Sequence, residues 1–265
     1  MRYWYQPPCE KLTNYVRTVL VVDVFSEDVR PNVPLVVAGM AAVHVQLTPA
    51  RDARPGDLGT RSDTVEMTLY GTPIPSDFEL STRHAITIIY GFKPFSMPAL
   101  FGIDAAQLAK TPLSADDWNS KAIAALKNQL MATSHPLQMI SVLDEFFIAQ
   151  LVHHFQVCEA IRIATDRIMI YPDADVLNQL PDQLHLTRRT FQRMFKKYVG
   201  ISATEYRRIC QFQQSFQQVR SKQFDKLSDV ATDNGFTDQS HFVRSFREFS
   251  STTPGKYLEH GLKPK

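Results

Sequence analysis

Long hydrophobic runs are scarce in this sequence of 265 residues. The longest apolar candidate, residues 19–25, is interrupted by Asp23 and is far shorter than the roughly 18 residues that a membrane-spanning helix needs. The first residues form no apolar run of the secretory type. We therefore expect a cytoplasmic protein with no membrane among its partners.

Cysteine is equally scarce. The three cysteines, Cys9, Cys158 and Cys210, are odd in number, widely separated and outside any metal-binding spacing. This pattern predicts reduced side chains in packing positions and argues against a disulfide framework.

Catalytic signatures are missing as well. The sequence contains no glycine-rich phosphate loop, no Gly-x-Ser-x-Gly motif and no Cys-x-x-Cys motif. Adjacent His153 and His154 would point about 100° apart on a helix, so they could not hold one metal ion without further ligands. His44 and His84 occupy strand-like segments that lack neighbouring ligands. We therefore predict no catalytic residue, no cofactor, no metal site and no enzymatic activity.

Charge is unevenly distributed along the chain. The overall net charge is +2, but residues 176–265 carry 15 basic and 8 acidic side chains, whereas residues 1–175 carry 14 basic and 19 acidic ones. A basic C-terminal third favours a module that binds a polyanion, joined to an acidic part with another task. A fluctuation in surface charge is the alternative.

The first hundred residues have the composition of β-strands. Runs rich in β-branched residues cover residues 19–24, 35–45, 64–70 and 85–90, with Pro, Gly, Asp and Ser between them. This pattern favours an antiparallel barrel or sandwich. A barrel interior could hold a small organic effector. The candidate lining residues are Val43, Val45, Met67, Leu69, Ile88 and Tyr90.

Helical periodicity begins after Lys110, and Ser114 is the expected N-cap of the first helix. The apolar stripes of the first two helices are Trp118, Ala122, Leu126 and Leu130, then Ile140, Leu143, Phe147 and Leu151. A third helix is predicted over residues 158–170, and Tyr171-Pro172-Asp173 is the predicted domain boundary. The stripes are explained by a core or, alternatively, by a homodimer interface within residues 114–170.

The C-terminal third contains an internal repeat. At an offset of 50, the sequence aligns Leu177, Leu180, Leu186 and Thr187 with Leu227, Val230, Phe236 and Thr237. At an offset of 51, it aligns Phe191, Arg193, Phe195, Lys196, Ser202 and Tyr206 with Phe242, Arg244, Phe246, Arg247, Thr253 and Tyr257. Each unit has the pattern of a short helix, a tight turn, an N-cap threonine and a second helix. The sequence therefore predicts two helix-turn-helix units.

The second helix of each unit is cationic on the side opposite its phenylalanines. Helix 188–197 buries Phe191, Met194 and Phe195 in this prediction, and helix 238–249 buries Phe242, Phe246 and Phe249. Arg and Gln side chains can read guanine and adenine edges in a major groove, whereas Lys and Arg also bind phosphates. The predicted DNA-binding residues are Arg188, Arg189, Gln192, Arg193, Lys196, Lys197, Gln239, Ser240, His241, Arg244 and Arg247. A helical bundle with solvated charges is the alternative.

A single helix is predicted between the two units. Residues 203–220 contain no Gly or Pro, and apolar residues recur along them with helical spacing. At 1.5 Å per residue this helix is about 27 Å long, near the roughly 34 Å of one duplex turn. Such a spacer could present two recognition helices to successive major grooves.

These residues resemble the AraC/XylS family of bacterial transcription regulators. The resemblance rests on Gly235–Arg247 with Thr253, Pro254 and Tyr257, and on Phe191–Lys197 followed by Gly200. It implies seven helices, two helix-turn-helix motifs and sequence-specific promoter binding. It also implies base contacts by Arg188, Arg189, Gln192 and Arg193 in the first unit, and by Gln239, Ser240, His241 and Arg244 in the second. Residues 12–16 and 91–95 more weakly resemble a cupin-like sensor half.

Some positions depart from the family pattern. Pro181 and His185 stand where the second unit has Ala231 and Gly235, and histidine there is strained if its φ is positive. The other departures are Ala203 in place of Pro, Ser251 in place of Gly, and Gln211 in place of Arg. We therefore hypothesise that the first helix-turn-helix starts irregularly and reads bases more weakly or differently than the second.

The sequence as a whole predicts an α+β protein: an N-terminal antiparallel β-barrel or cupin-like domain with trailing helices, then an all-α domain with two helix-turn-helix motifs. The expected domains are residues 1–172, β-rich over 1–110 and helical over 114–170, and residues 173–265. The predicted function is a one-component regulator, an activator or a repressor, with double-stranded DNA, RNA polymerase and a small-molecule effector as partners. The alternatives are a regulator whose N-terminal domain binds a protein partner, with DNA binding secondary, and an enzyme with a cupin-like site.

Overall fold

A computed structural model describes residues 2–24, 40–48, 64–72, 85–133, 135–154, 159–173 and 175–260. Within these ranges the strands are β1 (Arg2–Gln6), β2 (Val16–Val24), β3 (Ala41–Thr48), β4 (Thr64–Tyr70), β5 (Ala85–Phe92) and β6 (Leu113–Ser114). The first helices are α1 (Ser96–Phe101), α2 (Ala105–Leu108), α3 (Ala115–Met131), α4 (Pro136–His154) and α5 (Glu159–Ile170). The later helices are α6 (Val176–Gln183), α7 (Arg188–Val199), α8 (Ala203–Ser221), α9 (Leu227–Asp233), α10 (Gln239–Ser250) and α11 (Pro254–His260).

The strands form one antiparallel sheet in the order β1-β2-β5-β3-β4-β6. Its central strands are rich in β-branched residues, which pack well on a pleated surface. The predicted α+β class is confirmed, with an antiparallel sheet first and a helical region after it. Closure of the sheet into a cupin-like barrel stays a prediction. In the described part of the chain, no helix combines the length and apolar character needed to cross a membrane.

Three predicted strands match the structure closely. β4 has the predicted bounds, β2 begins three residues earlier at Val16, and β5 continues to Phe92. The strand predicted over 35–45 is described from Ala41 onward, and residues 35–39 lie outside the described ranges. Sequence reasoning missed β1, whose Tyr3, Trp4 and Tyr5 pair with Val22, Val21 and Leu20 of β2. The aromatic run in β1 is the signal that predicts a strand there.

The six predicted lining residues share one face of the sheet. Val43 lies opposite both Leu69 and Tyr90 in the strand register. Val45 lies opposite both Met67 and Ile88. All six side chains are at most 3% exposed and belong to one apolar cluster. The register therefore brings them together, and their role in ligand binding stays a prediction.

Helix α4 covers this face of the sheet. The Tyr90 ring contacts the Phe147 ring edge-on, with 4.8 Å between centroids. The Tyr90 hydroxyl donates hydrogen bonds to Asp144 Oδ1 at 2.8 Å and to the Ile140 carbonyl at 3.2 Å. Burial of Asp144 raises the pKa of its carboxyl group, although the hydrogen bond from Tyr90 opposes that shift. One polar anchor thus joins the centre of the sheet to α4.

Helix α3 begins after Ser114 as predicted, but the Ser114 side chain makes no capping hydrogen bond. Its buried residues are Ala115, Ile123, Leu126 and Leu130, so Trp118 and Ala122 of the predicted stripe are only partly buried. Asn119 has non-helical dihedral angles, and this kink shifts the helical phase between the two halves. In α4, Ile140, Leu143 and Phe147 are buried as predicted. The described third helix begins at Glu159, and Cys158 lies outside the described residues.

The main apolar core continues across the predicted domain boundary. One cluster of buried residues runs from Leu12 in the N-terminal half to Cys210 in α8 and includes Phe191 and Phe195 of α7. A second cluster begins at Phe212 and contains the buried residues of α9 and α10. The first half of α8 therefore packs with the N-terminal half, and its second half packs with the helices that follow.

His44 makes the stability of this fold dependent on pH. It is 9% exposed in β3, and burial lowers its pKa from 6.5 to about 4. Between these values the unfolded chain binds a proton that folded His44 does not, so the free energy of unfolding falls as the pH falls. We expect wild-type protein to lose up to about 3 kcal/mol more than His44→Gln between pH 6.5 and 4. Urea titrations at several pH values measure this difference, and parallel pH profiles would contradict it.

Candidate nucleic-acid interface

The sequence repeat is a structural repeat. In the first unit, α6 and α7 are joined by a turn in which His185 N–H donates to Asp182 O and Leu186 N–H donates to Pro181 O. In the second unit, α9 and α10 are joined by the same two bonds, from Gly235 to Thr232 and from Phe236 to Ala231. The two units are therefore equivalent helix-turn-helix motifs.

The two turns differ in strain. His185 has φ +53° where the equivalent Gly235 has φ +68°, so the condition under which the sequence predicts strain at the histidine is met. A side chain in this left-handed region costs about 1–2 kcal/mol, a cost that glycine avoids. Pro181 lies inside α6, yet its carbonyl still accepts the same turn bond as that of Ala231. The first unit thus keeps the regular turn geometry in spite of both substitutions, so the hypothesis of an irregular start was wrong for this turn.

The N-caps of the two second helices are different residues. Thr187 caps α7 as predicted, and its hydroxyl accepts a hydrogen bond from Thr190 N–H at 3.2 Å. The prediction of Thr237 as the second cap, with a helix from Asp238, was wrong. Asp238 is the cap, its carboxylate accepts from His241 N–H at 2.7 Å, and α10 begins at Gln239. The extra residue of the second unit moves the cap by one position and places a stronger acceptor there.

The outward side of α7 is cationic and exposed. Phe191, Phe195 and Val199 are buried, whereas Met194 is only partly buried. All six predicted DNA-binding residues of this helix are exposed: Arg188, Arg189, Gln192, Arg193, Lys196 and Lys197. No salt bridge described for this structure involves any of them. Their positive charge therefore faces solvent on one side of the helix.

The outward side of α10 carries fewer positive charges than that of α7, although both helices have 12 residues. Phe242 and Phe246 are buried as predicted, and Phe249 is partly buried. Gln239, Ser240, Arg244 and Arg247 are exposed. His241 is partly buried, and its ring meets the Phe236 ring edge-on, with 5.3 Å between centroids. DNA contact by these residues stays a prediction.

Helix α8 joins the two units as the sequence predicted and is one residue longer, ending at Ser221. Its 19 residues give a length of about 28 Å. The Tyr206 ring lies 5.7 Å from the Phe195 ring of α7, and the Phe212 ring lies 5.6 Å from the Phe246 ring of α10. The rings of the first half of α8 thus pack against α7 and those of the second half against α10, and Arg208 of the first half also forms a salt bridge with Glu248 of α10.

A polar contact fixes the second turn to α8. Gln211 is buried, and its Nε2 donates to the carbonyl oxygens of Asn234 and Gly235, both at 2.9 Å. Gln218 contributes a second link because Asn234 Nδ2 donates to Gln218 Oε1 at 2.6 Å. Sequence reasoning noticed Gln211 only as a departure from the family and missed Gln218 and Asn234. The glutamine-rich stretch of α8 is the signal that could have indicated this network.

The described residues contain no cluster of three or more His, Cys, Asp or Glu side chains that could hold a metal ion. Of the histidines that the sequence analysis considered as metal ligands, His84 lies outside the described ranges, and the side chains of His153 and His154 are also not described.

Two equivalent helix-turn-helix motifs on one connecting helix, each with polar or cationic groups facing outward, define a DNA-binding domain. Residues 180–260 match the family of helix-turn-helix domains. A relative of this part is the probable transcription factor PqrA of Proteus vulgaris, 34% identical over 73 residues. The aligned segment is 28% of this chain and 59% of the length of PqrA. Residues 180–260 therefore form a helix-turn-helix domain, in agreement with the resemblance of this part of the chain to AraC/XylS regulators.

Solved structures of ToxT from Vibrio cholerae are also similar to this chain. A crystal form of ToxT is 11% identical with a TM-score of 0.43, and the match covers 97% of both chains. Wild-type ToxT from strain SCE256 with a bound unsaturated fatty acid is 12% identical with a TM-score of 0.42. That match covers 97% of this chain and 93% of ToxT.

The buried amide of Gln211 predicts a local loss of stability on truncation. Gln211→Ala leaves the Asn234 and Gly235 carbonyls without their donor and creates a small cavity, which should lower the free energy of unfolding by about 1–3 kcal/mol. Gln217→Ala, at an exposed position on the same helix, is the control and should change it by less than about 0.5 kcal/mol. Chemical denaturation measures both variants. Equal changes in the free energy of unfolding of the two variants would show that the Gln211 amide does not stabilise the second turn.

Proposed function

We propose that this chain is a one-component transcription regulator that binds double-stranded DNA through residues 173–265. The supporting observation is the pair of equivalent helix-turn-helix units on one helix, with exposed basic and amide side chains on α7 and α10. The length of α8, about 28 Å, is near one duplex turn, so the two recognition helices would enter successive major grooves.

The proposed contacts divide by chemistry. Base edges would be read by Arg188, Arg189, Gln192 and Arg193 on α7, and by Gln239, Ser240, His241 and Arg244 on α10. Phosphates would be bound by Lys196, Lys197 and Arg247, which lie toward the C-terminal ends of the two helices. Bidentate Arg and Gln contacts give discrimination between bases, whereas lysine contacts give affinity without reading sequence.

Residues 1–172 are proposed as the regulatory half of a cytoplasmic protein. The face formed by Val43, Val45, Met67, Leu69, Ile88 and Tyr90 would take an apolar effector. The Tyr90 hydroxyl is the polar group on this face, and Asp144 fixes its direction. An effector acts only if it binds one arrangement of the protein more tightly than another. A homodimer through residues 114–170 and contact with RNA polymerase stay predictions.

The two units are predicted to contribute unequally to base discrimination. Arg193→Ala and Arg244→Ala each remove an exposed arginine at an equivalent position of the repeat. We expect each to cost about 1–3 kcal/mol of discrimination at its own half-site, with the smaller loss for Arg193→Ala. Selection of duplexes from a random-sequence library, followed by binding to single-base variants, measures both losses. Equal losses would refute the weaker role of the first unit.

Phosphate binding predicts a strong dependence on salt. Wild-type affinity for duplex DNA should fall by roughly a hundredfold or more between 50 and 200 mM salt, because several condensed counterions are released. Lys197→Ala should reduce the slope of log affinity against log salt by about 1 for every sequence tested. Lys11→Ala, an exposed lysine of the N-terminal half, should leave the slope unchanged. Absent or salt-insensitive binding would favour the protein-interaction alternative.

A further inference from the structure

Helix α2 is packed between two glycines that are far apart in sequence. A Cβ atom on Gly71, directly after β4, would lie 2.5 Å from Ala109 N and from Leu108 C. A Cβ atom on Gly200, directly after α7, would lie 2.4 Å from the Ala105 carbonyl oxygen. Both collisions are with backbone, which cannot move aside as a flexible side chain can. Main chain therefore touches main chain on both sides of α2.

On one side, α2 is tied to strand β4. Asp104 caps the helix by accepting a hydrogen bond from Ala106 N–H at 2.9 Å. The chain then continues into β6, where Leu113 pairs with Leu69 and Ser114 pairs with Thr68 of β4. The contact at Gly71 and the pairing of β6 with β4 thus hold the segment 105–114 against β4 at two places. Met67 and Leu69 of that strand belong to the proposed effector face.

On the other side, α2 meets the end of the first recognition helix. Gly200 ends α7 in the left-handed region, with φ +94°, and Val199 and Ile201 beside it are buried. A positive φ alone does not demand glycine here, because the equivalent Ser251 ends α10 with φ +58° and is exposed. The close approach to Ala105 is the feature that distinguishes Gly200 from Ser251.

We propose that Gly71, α2 and Gly200 form a seat that positions the first recognition helix on the N-terminal half, whereas the second recognition helix is positioned by α8, α9 and α11. The division of the buried apolar residues into two clusters at residues 210–212 supports this proposal, although the partly buried Phe249 of α10 packs against both clusters. The consequence for DNA rests on the proposed function: a shift of β4 would pass through α2 to α7 and alter readout at the first half-site only.

The first experiment needs no DNA and no variant. Native-state hydrogen exchange of the full chain, with increasing denaturant, reports which elements open together. We expect amides of α7 to open in the same cooperative unit as those of β4 and α2, and amides of α10 to open in another. Opening of α7 together with α10, and apart from β4, would overturn the proposal whether or not the protein binds DNA.

The second experiment uses glycine variants of the full chain. Gly71→Ala introduces the collision without a positive φ, and Gly200→Ser introduces the residue that the second unit tolerates at Ser251. Both should raise exchange of α7 amides at least tenfold and leave α10 amides unchanged. Gly255→Ala is the control, because its Cβ would meet nothing within 4 Å. Unchanged α7 exchange in both test variants would overturn the proposal.

DNA binding then tests the functional consequence. The probe is a duplex selected from a random library by the wild-type protein, with its half-sites assigned by Arg193→Ala and Arg244→Ala. Gly71→Ala should lower base discrimination at least tenfold at the first half-site and leave the second unchanged. Equal losses at both half-sites would overturn the separate positioning of the two helices. Failure of the wild-type protein to select any duplex would instead refute the proposed function and leave the exchange result standing.

Discussion

The C-terminal part of the structure depends on aromatic packing along one uninterrupted helix. Tyr206 of α8 packs against Phe195 of the first recognition helix, and Phe212 and Phe216 pack against Phe246 of the second. Buried aromatic rings contribute large apolar areas and prefer particular mutual angles. Because these rings project from a single helix, the orientation of each recognition helix is fixed relative to the same axis.

The helix-turn-helix units could be predicted from sequence because their determinants are local. The spacing of the phenylalanines, the turn residues and the caps all lie within about twenty residues, and the repeat supplies each pattern twice. α8 was predicted to within one residue because it lacks Gly and Pro and ends in a polar stretch. The second N-cap was misplaced by one residue because Thr237 and Asp238 both have capping side chains, and sequence alone does not choose between them.

The N-terminal half was harder to predict because its determinants are distant in the chain. The positions of β2, β4 and β5 followed from composition, but the pairing of β1 with β2 depends on residues about twenty positions apart. The contact between Gly200 and Ala105 joins residues almost a hundred positions apart, and no periodicity reports it. The six predicted lining residues were brought together by strand register, which alternation along each strand does predict. Whether these residues bind an effector could not be predicted from sequence, because ligand binding imposes no periodic pattern on a chain.

Substitution of arginine by Gln211 has a consequence for the chemistry of the second turn. A neutral amide donates to two carbonyls there, so the contact adds no charge next to a surface that already carries Arg244 and Arg247. The turn of the second unit is thus fixed by a neutral hydrogen-bond donor.

The uninterrupted course of α8 also fixes the angle between the two recognition helices around the α8 axis. Each residue of an α-helix advances about 1.5 Å and turns about 100°. A single insertion between Cys210 and Phe212, where the two apolar clusters meet, would turn the second recognition helix by about 100° around the α8 axis while hardly changing its distance from the first. The angle between the two recognition helices therefore depends more strongly on the exact length of α8 than their separation does.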